Sequence, residues 1–358
     1  MVPWILHHPG RGLLLKTGLC LLPLFLLFES GCDRNSHEGT GSRRVVVVYT
    51  ALDRTFSEPI FKEFTRRTGI QVKAKYDTES TKTIGLTNRI RSEKLRPRCD
   101  VFWNNEILNT LELKREGLLA PCHPTEAENY PAQYRDGDGY WHGFAARARV
   151  LLVNTNLVQN QGDFPTSIED LKDPAWKGRT GIAKPLFGTT ASHAACLVVT
   201  GGEKATTRFF KDLRKNDIQI HGGNKGCAMA VSRGAAAFAL TDTDDAIIEV
   251  EAGKPVRIVY PDSVDGREGT LFLPNTVAML QGAPHPKEAE VLINYLLSAE
   301  VEQRLAGGPS AQIALRHGAP ANPRVRGPDQ VGALEVDFEK AAATLSKARE
   351  LVESHFLH

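Results

Sequence analysis

The sequence lacks the signatures of the common hydrolase, nucleotide-binding and dehydrogenase sites. Among its 358 residues there is no GxSxG, no HExxH, no GxxxxGKS/T and no GxGxxG. These absences remove the nucleophile elbow, the helical zinc site, the P-loop and the dinucleotide fingerprint. No Ser/His/Asp order suits a catalytic triad, so nothing argues positively for catalysis. Cysteine is scarce, with six in all and no CxxC or Cys/His metal spacing, which argues against a zinc site. An excess of one charge is missing too: 44 Lys+Arg against 42 Asp+Glu leaves +2. That balance argues against a partner recognised chiefly through bulk charge, such as nucleic acid. No internal repeat is present. What remains is 41% hydrophobic and 24% charged, which rules out wholesale disorder. At roughly 150 residues per domain, the length suggests about two domains.

Long apolar runs are also missing, and the one short run is informative. Arg11 and Lys16 precede the uncharged stretch from Leu19 to Phe28, too short for a span, which needs about 20 residues. A basic start, a short apolar stretch and small residues after it are the layout of a secretory signal. Ser30-Gly31-Cys32 follows and resembles the lipobox of bacterial lipoproteins, with Glu29 departing from the usual aliphatic residue. The expectation is a lipoprotein-type signal peptide over 1–31 and lipidation at Cys32. Residues 32–43 read as a flexible tether. Without residues 1–31 the balance is 42 − 41 = +1. Cys99, Cys122, Cys196 and Cys227 remain; an oxidising compartment would permit disulfides, with the pairing left open.

Beyond the tether, strand and helix patterns alternate. Val45 to Tyr49 is a β-branched run suited to a strand buried on both faces. Helix 57–68, strand 70–76, helix 81–95, strand 100–103 and helix 106–116 follow. That order predicts a parallel sheet covered by helices, with ligands bound in loops at the carboxyl ends of strands. A second series starts near Val150 and runs through strand 180–183, helices 190–200 and 203–214, a strand near Ile218, helix 225–233 and strands 236–240 and 256–259. Residues 270–281 read as a strand crossing back, then come helices 286–297 and 299–305, a Pro/Gly-rich stretch over 318–332 and an amphipathic helix over 334–355. Two α/β lobes crossed more than once by the chain suggest a hinged cleft.

Four polar loops follow predicted strands: Thr50 to Asp53, Tyr76 to Thr81 with Glu79, Asn104-Asn105-Glu106, and Thr241 to Asp245. Each could cap a helix. Capping does not, however, require three carboxylates at Asp242, Asp244 and Asp245. Like charges so close call for a hard cation, which takes oxygen ligands, or for several donors on a ligand. Other segments suit anions. Gly188-Thr189-Thr190 opens helix 190–200, and Gly222-Gly223-Asn224 opens helix 225–233, each offering backbone N–H groups. Arg147 and Arg149 lie two apart on a strand and face one side; each suits an oxyanion or a structural carboxylate. His193 inside its helix reads as structural. Tyr140-Trp141 reads as core or as a wall of the cleft.

Residues 45–317 resemble the iron-type branch of the periplasmic solute-binding proteins, the capture component of ABC importers. The resemblance rests on DVFWNNE (100–106), GFAARARVLLVNT (143–155), DPAWKGR (173–179), AKPLFGTTASHAA (183–195), FALTDTDDA (238–246) and GAPHPKEAEVLINYLLSAEVEQRLA (282–306). It implies an α/β fold of the type II two-lobe periplasmic-binding-protein kind, each lobe a helix-flanked, mostly parallel sheet joined to the other by hinge strands. The expected boundaries are an N-terminal lobe over 44–148 and 271–318, a C-terminal lobe over 149–270, and a linker and C-terminal helix over 319–358. Ferric-binding members hold iron with an adjacent Tyr pair, a carboxylate, often a His, and a synergistic anion. Glu106 falls where the family's metal-binding Glu lies, Asp53 close to the place of the His, and Asp244-Asp245 in the stretch of the Tyr pair. Phenolates select Fe(III), whereas carboxylates keep a hard-oxygen set and lose that selectivity. Gly188, Thr189, Thr190 and Arg147 match the anion elements.

The expectation is therefore an exported binding protein with no catalytic residue and no required cofactor. It would stand in the periplasm or on the outer face of the cytoplasmic membrane and be monomeric. Asp53, Glu106, Asp244 and Asp245 would bind Fe(III) or another hard cation. Arg147, Gly188, Thr189 and Thr190 would hold carbonate or phosphate, with Glu79, Asn224 and Asp242 beside them. Its partners would be an ABC permease and ATPase, with no nucleic acid and membrane contact only through the N-terminal lipid. Two alternatives stay open: the same fold binding an organic solute such as a phosphorylated sugar, a phosphonate or a thiamine-like molecule, and a secreted metal-dependent phosphohydrolase.

Overall fold

The valine run forms strand β1 (Val45–Thr50), and its alternation separates two cores. Val46 and Val48 pack in one apolar cluster, and Val47 and Tyr49 in the other, as opposite faces of a strand require. The computed structural model describes residues 44–77, 83–263 and 267–358; Cys32, Glu79 and the signal, tether and lipidation expectations lie outside them. Residues 43–358 form one compact unit.

Helix α1 (Arg54–Thr68) buries Ile60, Phe61 and Phe64 and stops at Gly69, whose φ of 70° gives the left-handed cap. Strand β2 (Gln71–Tyr76), helix α2 (Ile84–Ser92), strand β3 (Val101–Asn104) and helix α3 (Leu108–Arg115) follow. β1 pairs in parallel with both β2 and β3, as the alternating pattern predicts. After the short β4 (Leu119–Ala120), the chain enters β5 (His142–Asn154), thirteen residues that are all buried.

The second series holds β6 (Thr180–Ala183), α4 (Gly188–Thr200), α5 (Glu203–Lys215), β7 (Gln219–His221), α6 (Asn224–Ser232), β8 (Phe238–Asp242), α7 (Thr243–Glu251) and β9 (Val256–Val259). β6 pairs in parallel with β7 and β8. The return strand β10 (Phe272–Leu280) leads into α8 (Pro286–Leu296), α9 (Ala299–Gly307) and, after an irregular arm, α10 (Phe338–Val352). The sheet order is β2-β1-β3-β10-β5-β8-β6-β7, with β4 on β10 and β9 on β5. Two parallel groups thus flank an antiparallel centre made of β10 and β5. The first part of β5 pairs with β10 and its second part with β8 and β9, so this one strand belongs to both halves of a two-lobe fold. No helix of the described residues is long and apolar enough to cross a membrane.

Two differences from the sequence pattern matter for the site. The acidic stretch read as a loop is the first turn of α7, because Ala246, Ile247 and the residues after them continue at helical spacing. The stretch read as a strand from Val150 begins eight residues earlier, at His142. Within it Ala145 has φ 44° and the register against β10 shifts between Leu273 and Asn275. Such a bulge bends a strand and re-aims the side chains that follow it.

Candidate ligand-binding site

Arg147 and Arg149 follow the bulge, and their side chains are 1% and 0% exposed. Arg147 donates from Nε to Asp244 Oδ2 at 3.1 Å, from Nη2 to Asn275 Oδ1 at 3.3 Å and from Nη1 to the Asn105 carbonyl. Burial opposes its charge, but Asp244, Asp242, Asp245 and Asp53 outweigh that and raise its pKa above the ordinary value. Four carboxylates therefore converge electrostatically on one guanidinium. Arg149 donates to Asp242 Oδ1 at 2.5 Å, Asn224 Oδ1 at 2.9 Å, Thr189 Oγ1 at 3.2 Å and Thr190 Oγ1 at 3.2 Å. Asp242 Oδ2 accepts from Thr189 Oγ1 at 2.6 Å and Asn224 Nδ2 at 2.9 Å. This closed network ties the opening turns of α4 and α6 to the end of β8.

The cleft beside it has a volume of about 30 Å³, above the ~10–15 Å³ a single water requires. Asp53, Arg147, Gly188, Thr189, Thr190, Asn224, Asp242, Asp244 and Asp245 all line it. The structure thus brings together most of the residues singled out from sequence. Asp53 stands at the N-cap of α1 without a side-chain capping bond. Asp242, Asp244 and Asp245 offer oxygens within 4.8 Å of one another, at the start of α7, where the helix dipole favours negative charge. Gly188, with φ 53°, turns the chain into α4 so that Thr189 and Thr190 face the network.

Glu106 does not join them. It is fully buried and does not itself line the cleft, although its neighbour Asn105 does. Its carboxylate accepts from the Leu108 N–H at 2.7 Å, the Asn109 N–H at 3.1 Å, the Asn104 and Asn109 side-chain amides at 2.9 and 2.7 Å, and Ser192 Oγ at 2.7 Å. The acid expected as a metal ligand is turned back here to cap α3. Asp242, expected as a ligand group, faces the cleft with both oxygens engaged by Arg149, Thr189 and Asn224. Sequence reasoning singled out Asn105 only as part of a polar loop, and it missed Lys184 and Asn275 around the cleft and Arg147. Asn275 carried a signal, a lone amide that, with Thr276, interrupts an otherwise apolar strand.

Comparisons with known proteins give the chain's family. Residues 109–328 match the family described as bacterial extracellular solute-binding protein. The chain belongs to that family. It is 26% identical over 321 residues to iron uptake protein A1 of Synechocystis sp. (strain ATCC 27184 / PCC 6803 / Kazusa), covering 87% of each chain. It is 24% identical over 335 residues to the Fe(3+)-binding periplasmic protein of Serratia marcescens, covering 92% of this chain and 95% of that one. Among solved structures, iron-bound HitA from Pseudomonas aeruginosa superposes with a TM-score of 0.78 at 25% identity, over 86% of this chain and 98% of that one.

Other residues of this solute-binding protein serve its core. His193 is buried in α4; burial first, then the Arg149 charge, hold its pKa down at about 3, so the ring is neutral. Trp141 is buried in the core, and neither it nor Tyr140 lines the cleft. Cys99, Cys122, Cys196 and Cys227 are buried free thiols. Burial, then the Glu290 charge, pushes Cys122 up to about 12, which leaves little thiolate for reaction.

Proposed function

We propose that this protein captures ferric iron, held as a hard cation together with carbonate or phosphate, in the cleft between its lobes. It then hands the iron to an ABC permease and ATPase. The observation that carries this reading is the cluster of Asp242, Asp244 and Asp245, whose oxygens lie within 4.8 Å of one another in a cleft of only about 30 Å³. Hard cations take carboxylate oxygens, and a space this small suits an inorganic ion better than a sugar phosphate. Asp244, Asp245 and Asp53 would be the metal ligands. Gly188, Thr189, Thr190 and Arg147 would receive the anion, since a helix N-terminus and a guanidinium both favour oxyanions. The relatives' iron-binding names support the same assignment.

On this reading the lobes divide as 44–148 with 271–318, and 149–270, with hinge strands β5 and β10 between them. Residues 1–31 would direct export to the periplasm, and Cys32 would carry a lipid. The cradle formed by α4, α6 and Arg147 also suits an organic phosphate or phosphonate after lobe opening, and the same experiment separates the two.

Metal-free protein is supplied with Fe(III) and phosphate, desalted, and assayed by native mass spectrometry with elemental analysis. Stoichiometric iron, lost in Asp244→Ala and Asp245→Ala, is the expected result. Among the described residues no tyrosine lines the cleft, so the loaded protein should show no phenolate-to-iron charge-transfer band in the visible. Failure to retain metal, with a thermal shift from sugar phosphates instead, would overturn the iron reading.

A further inference from the structure

We infer that Glu106 is a positioning residue that pins α4 to α3, fixing how the anion cradle faces the acidic cluster. The inference rests on the reading of the cleft as the solute site, and it holds whether the solute is iron or an organic anion. Five of the hydrogen bonds to the Glu106 carboxylate come from Asn104 at the end of β3 and from Leu108 and Asn109 at the start of α3. A cap for α3 is complete with these. The sixth is different in kind: Ser192 Oγ reaches Oε2 at 2.7 Å from α4, which follows β6 in the other half of the fold.

The place of this bond gives it leverage over the site. Ser192 lies one turn into α4, and its hydroxyl also approaches the Gly188 carbonyl at 3.4 Å. Gly188, Thr189 and Thr190 line the cleft just ahead of it. On the other side, Asn105 adjoins Glu106, lines the cleft and accepts from Arg147 through its carbonyl. One buried carboxylate therefore holds two cleft-lining segments, one from each half, in fixed relation. A hydrogen bond to a charged acceptor in a dry site is among the stronger ones, and a hydroxyl there is costly to remove. α10 packs over both α3 and α4 at this junction, so the pin sits in a packed pivot and not at a solvent-filled gap.

The test uses the full chain with spin labels at Lys62→Cys and Lys177→Cys, exposed positions in the two halves; the native cysteines described here are buried. Pulsed electron-electron distances are compared for the parent, Ser192→Ala, Glu106→Gln and the double variant. Affinity for Fe(III) supplied with phosphate is measured in parallel. Ser192→Ala leaves the cap of α3 and every cleft-lining side chain in place. We expect it to broaden the interlobe distance distribution and to weaken binding roughly tenfold, the worth of one charged buried hydrogen bond. Glu106→Gln added to it should bring less than its effect alone. An unchanged distance distribution in Ser192→Ala would reduce Glu106 to a cap and overturn the pin. Loss of iron uptake in Glu106→Gln with full uptake in Ser192→Ala would make Glu106 a ligand and overturn it equally. If the parent itself takes up no iron, the iron reading fails while the distance comparison still decides the pin.

Discussion

Asp242 and Glu106 are both buried acids beside the start of a helix, and what offsets each charge decides its role. Asp242 is matched by Arg149, with Thr189 and Asn224 completing its donors. Removing one partner of such a pair strands the other charge in a dry site. Asp242→Ala should therefore lower stability by about 3–5 kcal/mol, read as a fall in the urea midpoint. Arg149→Met combined with Asp242→Leu should cost far less than the sum of the two single changes, because neither charge is then left alone. A fully additive double variant would show that the two side chains do not act as a pair. The grouping of the three aspartates was legible in sequence, since their spacing alone brings them together. The placement of Glu106 was not: whether an acid two residues ahead of a helix turns outward to a ligand or back to the helix N–H groups depends on the entry angle of the chain, which spacing does not encode.

At the scale of elements, most helices and strands of both halves followed from apolar periodicity and glycine stops, and the parallel pairing followed from their alternation. The bulge at Ala145 had no such signal, because positive φ at an alanine is imposed by tertiary pairing with β10. α7 was hidden for a related reason: its first turn carries Asp244 and Asp245, and acids there read equally as loop or as helix start. Helix α4 offers a test of element burial. Its His193 is held down at about pH 3 by burial and by Arg149, whereas an unfolded histidine titrates near 6.5. Below that value the unfolded chain takes up a proton that the folded chain refuses. The stability this represents is present above pH 6.5 and is lost as pH falls towards about 3, at about 1.4 kcal/mol per pH unit. His142, held down at about 4 mainly by burial, adds a second contribution of the same sign. His193→Asn should flatten the decline of stability between pH 6 and 4 without abolishing it, as measured by urea unfolding at each pH. A slope identical to the parent's would mean that the ring protonates in the folded state.

At the scale of the molecule, the two halves share structure that neither could keep alone. β5 runs through both, both apolar clusters take residues from β5 and from elements on either side of it, and α10 lies over α3 and α4 together. α10 is joined electrostatically as well, through Glu339 to Lys114 at 3.1 Å and through Lys347 to Glu203 at 2.5 Å. Those ion pairs are half exposed and worth little, so the hold comes from Ala341, Leu345, Ala348 and Val352, all buried. A binding protein of this architecture needs lobes that move as bodies yet unfold as one, and a shared strand with a shared helix supplies that. The metal-free protein should accordingly melt in a single calorimetric transition. Leu345→Ala empties a fully buried site and should cost about 2–5 kcal/mol, lowering the midpoint while leaving one transition. Two resolved transitions in the parent would show that the halves fold independently and that α10 belongs to only one of them.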